Sequence, residues 1–190
     1  RKYFKDLILN KDRVKAINEA EKEGYNFLIL DDGFQDHRIK KNINIICFNQ
    51  KQLVGNGLVL PAGPLRETLN SLKDAHIVII NGEKDREFEK KILKINESIE
   101  IFYSKYKADN TEEFRNKELM AVAGIGNPDN FFDLLLQSNL NVKEKLIYPD
   151  HYRFSKYEVL KMIEISNKKK LPILMTEKDY FKIKDFDLKE

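Results

Sequence analysis

Four short segments of this 190-residue chain carry residue types that could do chemistry. The first is Phe27-Leu28-Ile29-Leu30-Asp31-Asp32-Gly33-Phe34-Gln35, an apolar run closed by two carboxylates. A buried strand ending this way, the Walker B pattern, holds its acids at the carboxyl edge of a sheet, where open α/β folds bind ligands. There Asp31 and Asp32 could hold or orient a magnesium ion and its waters beside a nucleotide phosphate. The same doublet also suits an ordinary turn, since Asp-Gly is a common turn pair. The second segment, residues 55–67, places Gly55, Gly57, Pro61, Gly63 and Pro64 ahead of Arg66 and Glu67. Glycines let backbone approach a ligand closely and prolines fix the path, so this is a shaped loop. Arg66 offers a planar fork for phosphate oxygens and Glu67 a hard oxygen for magnesium, although an exposed ion pair would look the same.

The third segment is Tyr148-Pro149-Asp150-His151-Tyr152-Arg153-Phe154. A neutral His151 could take a proton from a hydroxyl or pair with a carboxylate, and a structural histidine in a Pro-Asp-His turn is the competing reading. His76, at the head of an apolar run, reads as structural. The fourth segment, Thr176-Glu177-Lys178-Asp179, follows the last apolar run. It reads best as a capped helix start, with Thr176 as the cap and Asp179 three residues on.

These groups need a scaffold, and the pattern of the chain supplies one. Short apolar runs at residues 27–30, 43–48, 77–80, 99–103, 119–123, 142–148 and 171–175 read as strands. Between them, residues 12–23, 65–75, 85–95, a segment opening at Asn127-Pro128-Asp129, a segment capped by Ser155, and residues 177–184 read as helices. Strands alternating with helices predict α/β architecture with mainly parallel sheets. Residues 105–117 have no apolar period, and the boundary between two subdomains, 1–112 and 113–190, is placed there.

Composition narrows the function classes. Lys and Arg number 34 against 31 Asp and Glu, a small surplus with no concentrated basic stripe, so a nucleic-acid partner is not indicated. The basic run Lys168 to Lys170 sits where a helix should end, where its dipole favours cations. The single cysteine, Cys47, excludes an internal disulfide and reads as a small buried hydrophobe in a reducing compartment. No run approaches the roughly 20 apolar residues that span a bilayer. The chain begins at Arg1, which reads as a sign of missing upstream sequence.

Taken in order, Asp-Asp-Gly-Phe-Gln at 31–35, the Gly-Asn-Gly to Leu-Arg-Glu loop at 55–67, Ala-Val-Ala-Gly-Ile-Gly-Asn-Pro at 121–128 with Phe131-Phe132, Pro-Asp-His at 149–151 and Thr-Glu-Lys-Asp at 176–179 resemble the tetraacyldisaccharide 4'-kinase family. The resemblance runs from about Asp12 to the end of the chain. It implies two three-layer α/β subdomains, the first a truncated P-loop-kinase-like core, with the active site between them. It implies transfer of the ATP γ-phosphate to the 4'-hydroxyl of a tetraacylated glucosamine disaccharide 1-phosphate, a lipid A precursor, at the cytoplasmic face of the bacterial inner membrane. ATP and Mg2+ are the implied cofactors. Asp31 and Asp32 would be the acidic pair, Gln35 and Glu67 (with Asp32) would face magnesium, and Arg66, with the Gly55 and Gly57 loop, would contact phosphate. His151 would support the family's catalytic aspartate.

Two departures stand out. No Gly-x-x-x-x-Gly-Lys-Ser/Thr loop occurs, and the Asp-Glu segment that supplies the family's base is missing. Both are expected upstream of Arg1, as is the part that meets the membrane, and the chain alone is expected to have little or no activity. The family's His after the Gln is here Asp36, with His37 next. A non-catalytic nucleotide- or lipid-sugar-binding module is the alternative.

Overall fold

The computed structural model describes residues 6–188, so the outermost ends of the two expected subdomains, Arg1 included, lie outside it. The chain divides into one compact unit running to Lys105 and a second from Tyr106. This division falls a few residues before 112/113. Phe114, in a short 3-10 turn at Thr111–Phe114, already packs into the core of the second unit.

In the first unit, α1 (Arg13–Lys22) is capped by the Asp12 carboxylate on the Val14 N–H. Strands β1 (Ile45–Asn49), β2 (Ile77–Asn81) and β3 (Glu100–Ser104) form a parallel sheet in the order β1-β2-β3. Helix α2 (Arg86–Ile95) bridges β2 and β3, with Asp85 capping the Phe88 N–H. When successive parallel strands are added in one direction, right-handed crossovers place every connection on the same face. That is what the core shows: Leu72 from the β1–β2 connection and Phe88 and Ile92 from α2 pack with Val78 and Ile80. On the other face Ile45 and Phe102 stay about half exposed, so Cys47, expected to be buried, is exposed there too. Among the described residues this sheet carries one covering layer.

The second unit winds the other way. Strands β4 (Glu118–Ala123), β5 (Asn141–Ile147) and β6 (Ile173–Met175) are parallel in the order β5-β4-β6. The chain leaves β4 through α3 (Pro128–Gln137) to one side, then crosses through α4 (Lys156–Lys169) to the other. Reversal puts helices on both faces. Leu119, Ala121 and Ala123 pack against Phe132 and Leu135 of α3, whereas Val122 packs against Val159 and Met162 of α4 and Ile183 of α5 (Glu177–Ile183). This unit is three-layered, and β4, buried on both faces, reads as a continuous apolar run. Local signals set its helix starts: Asn127 caps α3 with Pro128 in the first turn, Ser155 and Glu158 form a reciprocal capping box, and Thr176 caps α5.

Two expected elements differ. Residues 27–30 are not a strand: Phe27 is 74% and Ile29 83% exposed, and the run pairs with nothing in either sheet. A strand is stabilised by its ladder and cross-strand neighbours, so an apolar run without a partner has no local reason to be one. The helix expected over 65–75 shrinks to a 3-10 helix at Leu69–Asp74, because Leu65 is bonded back to Leu58 and Leu60. No helix among the described residues is long and apolar enough to cross a membrane.

Ile80 is fully buried at the centre of the first core. Ile80→Ala should cost about 2–5 kcal/mol in urea unfolding, by lost transfer energy plus a cavity; a loss near zero would show that this core is not the cooperative centre of its unit.

Candidate active site

The acidic turn of the first unit is built by contacts distant in sequence. Arg13, in the first turn of α1, donates from Nη2 to the carbonyl of Asp31 (3.2 Å) and to that of Asp32 (2.9 Å). Asp32 takes a left-handed conformation with φ of 51°, uncommon for a residue with a side chain but tolerated by Asp. Its carboxylate accepts from Arg66 Nη1, at 2.5 Å to Oδ1 and 2.7 Å to Oδ2. The Arg66 guanidinium holds the Asp32 carboxyl below its ordinary range. Both side chains remain open to solvent, at 60% and 57%. Asp31 is exposed beside it, and its carbonyl accepts from Arg13.

Arg66 reaches Asp32 from a loop closed on itself. Asn56 donates to the Ala62 carbonyl (2.8 Å) and accepts from the Leu58 N–H (3.1 Å), while across the loop the Leu60 N–H donates to the Leu65 carbonyl and the Leu65 N–H to the Leu58 carbonyl. Gly55 has φ of +57°, and a side chain there would run into Pro64 Cγ at 2.7 Å, so this glycine serves the closure of the loop itself. Gly57, with φ of +78°, has open space where a side chain would stand. Glu67 opens on a cavity of about 710 Å3 that also takes in Phe34, His37 and Lys41. Gln35 is half-buried in the turn. The Asp36 carboxylate is bonded to Arg38 Nε (2.9 Å) and Nη2 (2.8 Å) and lies 3.8 Å from Arg13. Arg38 pulls it down to about 2. Asp36 is therefore an ion-paired anchor, and His37 is exposed at the cavity.

In the second unit the candidate residues gather at the carboxyl edge of β4, where the strand order reverses and crevices form. His151 has φ of 58° and a side chain 78% exposed. Its N–H donates to Asp150 Oδ1 at 2.9 Å, and its Nε2 lies 3.7 Å from Asp150 Oδ2. Desolvation pushes the Asp150 carboxyl up, but the His151 N–H and charge and Lys178 Nζ at 3.5 Å bring it below its ordinary value. Thr176-Glu177-Lys178-Asp179 is the helix cap that the sequence suggests, and it does more. Asp179, fully buried, accepts from the Gly124 N–H (2.8 Å), Thr176 Oγ1 (2.8 Å) and Lys182 Nζ (2.7 Å), and Lys182 also donates to the Gly124 carbonyl (3.0 Å). The loop after β4 is thereby clamped to α5.

Arg13 and Lys41 do not emerge from sequence reasoning, and Asp179 emerges only as part of a helix start. Both cations grip main-chain carbonyls, which no side-chain spacing announces.

Magnesium usually keeps several waters and takes one or two protein carboxylates beside substrate phosphates. Among the described residues no cluster of three or more His, Cys, Asp or Glu could hold a metal alone. The solvent-open Asp32 carboxylate beside a guanidinium fits a metal shared with phosphate rather than a protein cage.

Two parallel sheets whose strands are joined by helices place the chain among the α/β proteins. Among these, the chain has the fold of LpxK from Aquifex aeolicus, solved in complex with ATP, with a TM-score of 0.59 and 24% identity over 90% of this chain and 53% of that one. The model of the tetraacyldisaccharide-1-P 4'-kinase family matches residues 3–190, and the chain belongs to that family. It is 38% identical to the tetraacyldisaccharide 4'-kinase of Pelagibacter ubique over 97% of this chain and 60% of that protein. It is 31% identical to that of Francisella tularensis subsp. novicida, over 95% and 58%. The chain thus spans little more than half the length of these relatives.

Asp179 is held below its ordinary value: burial pushes it up, but Lys182, the Gly124 N–H and Thr176 outweigh that. A lowered folded value means that its contribution is present above the unfolded carboxylate pKa and is lost as pH falls through the folded value. Asp179→Asn should destabilise the protein by about 3 kcal/mol near neutral pH, since it leaves Lys182 facing no charge. In urea unfolding the gap from wild type should narrow below about pH 4; a gap independent of pH would contradict the clamp.

Proposed function

We propose that the full-length protein is an ATP-dependent tetraacyldisaccharide 4'-kinase. It transfers the γ-phosphate of ATP to the 4'-hydroxyl of a tetraacylated glucosamine disaccharide 1-phosphate, a lipid A precursor, working peripherally at the cytoplasmic face of the inner membrane. Family membership supports the reaction, and one observation carries the reading at the level of residues: the Arg66–Asp32 contact, which joins the two segments that a kinase needs together.

Phosphoryl transfer asks little covalent chemistry of a protein, and positioning and charge stabilisation dominate. Magnesium, when bound, supplies neutralisation of the phosphate oxygens. Asp32, together with Gln35 and Glu67, would hold that ion's shell, with Asp31 beside them. Arg66 presents an open guanidinium that can turn from Asp32 to phosphate oxygens, and Gly57 leaves room for backbone to approach them. In the second unit His151 has an exposed imidazole and a carboxylate, Asp150, to orient it, which suits support of the base that takes the proton of the acceptor hydroxyl.

Phosphate transfer from ATP to the lipid disaccharide by the full-length protein tests the proposal. Arg66→Ala should lower kcat about 100-fold, the scale of losing one preorganised charge donor. His151→Ala should lower it by a similar factor of about 100. Wild-type turnover in both variants would remove these residues from the reaction.

A further inference from the structure

We propose that Lys41 is a positioning residue for phosphoryl transfer, acting as an internal cation around which the acidic turn is folded; this rests on the kinase reading above. A lysine ammonium has three N–H donors and no acceptor. Here it meets three main-chain carbonyls of one turn: Gly33 at 3.1 Å, Phe34 at 3.0 Å and Asp36 at 2.8 Å. Three carbonyl dipoles aimed at one point repel one another unless a positive charge sits there, and in a half-buried setting that charge is weakly screened. The turn has few other internal bonds at this point. The Asp36 N–H donates to the Gly33 carbonyl at 3.2 Å, the His37 N–H to the Gln35 carbonyl at 3.1 Å and the Ile39 N–H to the Asp36 carbonyl at 3.3 Å, all at the long end of the range.

What Lys41 holds is the site itself. The carbonyls of Gly33 and Phe34 belong to the two peptide planes that lead into Gln35, and Asp32 lies immediately before them. Arg13 grips the preceding carbonyls of Asp31 and Asp32 from the other end. Lys41 precedes β1, so it ties the turn to the sheet, and it lines the same cavity as Glu67. Removing the ammonium frees the peptide planes around Gln35 while leaving every apolar core contact in place. A misplacement of about 1 Å in such a group can cost up to about 100-fold in rate.

The experiment compares full-length wild type with Lys41→Met, Lys41→Arg and Lys41→Ala. Amide hydrogen exchange and phosphate transfer are measured on each, with and without ethylammonium. Exchange in residues 33–39 should quicken at least about tenfold in Lys41→Met while β1–β3 keep their protection. In the same variant kcat should fall at least about tenfold. Lys41→Arg, which folds with the charge retained but presents a flat fork, should be intermediate. Ethylammonium, but not sodium chloride at equal ionic strength, should restore both readouts in Lys41→Ala. Unchanged exchange in the turn, or exchange that quickens throughout the sheet, overturns the proposal. So does a kcat loss that the amine leaves untouched. If wild type itself transfers no phosphate, the kinase reading fails, and exchange with amine rescue still decides whether Lys41 organises the turn.

Discussion

The site of the first unit depends on one contact between two charged side chains, Arg66 and Asp32. As a contribution to stability it is minor: exposed ion pairs typically yield about 0.2–1 kcal/mol. Its weight is geometric. Each partner is held by a separately organised loop, so the pair is where two preformed pieces meet. On one side, Asn56, Gly55 and Pro64 close the loop that carries Arg66. On the other, Arg13 and Lys41 grip five carbonyl contacts between Asp31 and Asp36. An exposed guanidinium on a carboxylate is a replaceable contact, which is what a residue that must accept phosphate requires.

The two sheets show how strand order decides what a unit offers. In the order β1-β2-β3 all connections fall on one side, so one face of the first sheet is packed and the face with Ile45 and Phe102 is open. In the order β5-β4-β6 the connections fall on both sides, and β4 becomes the fully buried axis of the second unit. The reversal also fixes where chemistry can sit. Backbone and side chains diverge at the carboxyl end of β4, and Asp179 fills that point with a buried charge fully satisfied by Gly124, Thr176 and Lys182. A buried carboxylate with all its partners is a rigid joint, and the turn with Asp150 and His151 lies at this same strand edge.

Much of this was legible in the residues. Helix starts at Asp12, Asp85, Asn127, Ser155 and Thr176 were readable because capping is local chemistry, decided within three or four positions. The apolar run of β4 was readable because burial on both faces leaves no alternation to misread. The run at 27–30 carried the same signal and is not a strand, since strand formation is a property of a pair and no partner is present in either sheet. Cys47 was misjudged for a related reason: burial depends on which face the crossovers cover, which composition cannot show. The arginine loop was recognisable as a shaped loop and the acidic pair as a strand end or an ordinary turn, but their meeting was an inference. Arg13 and Lys41 act through carbonyls, and a carbonyl has no sequence signature.

The most direct measurement is a double-mutant cycle on kcat/KM for ATP in the full-length protein, using Asp32→Asn, Arg66→Gln and the pair together. If both side chains serve one phosphate-metal site, the double variant is about as impaired as the worse single one, a large departure from additivity. Losses that add to within about 0.5 kcal/mol would mean that the two act independently, and the contact between them would then be no more than a surface ion pair.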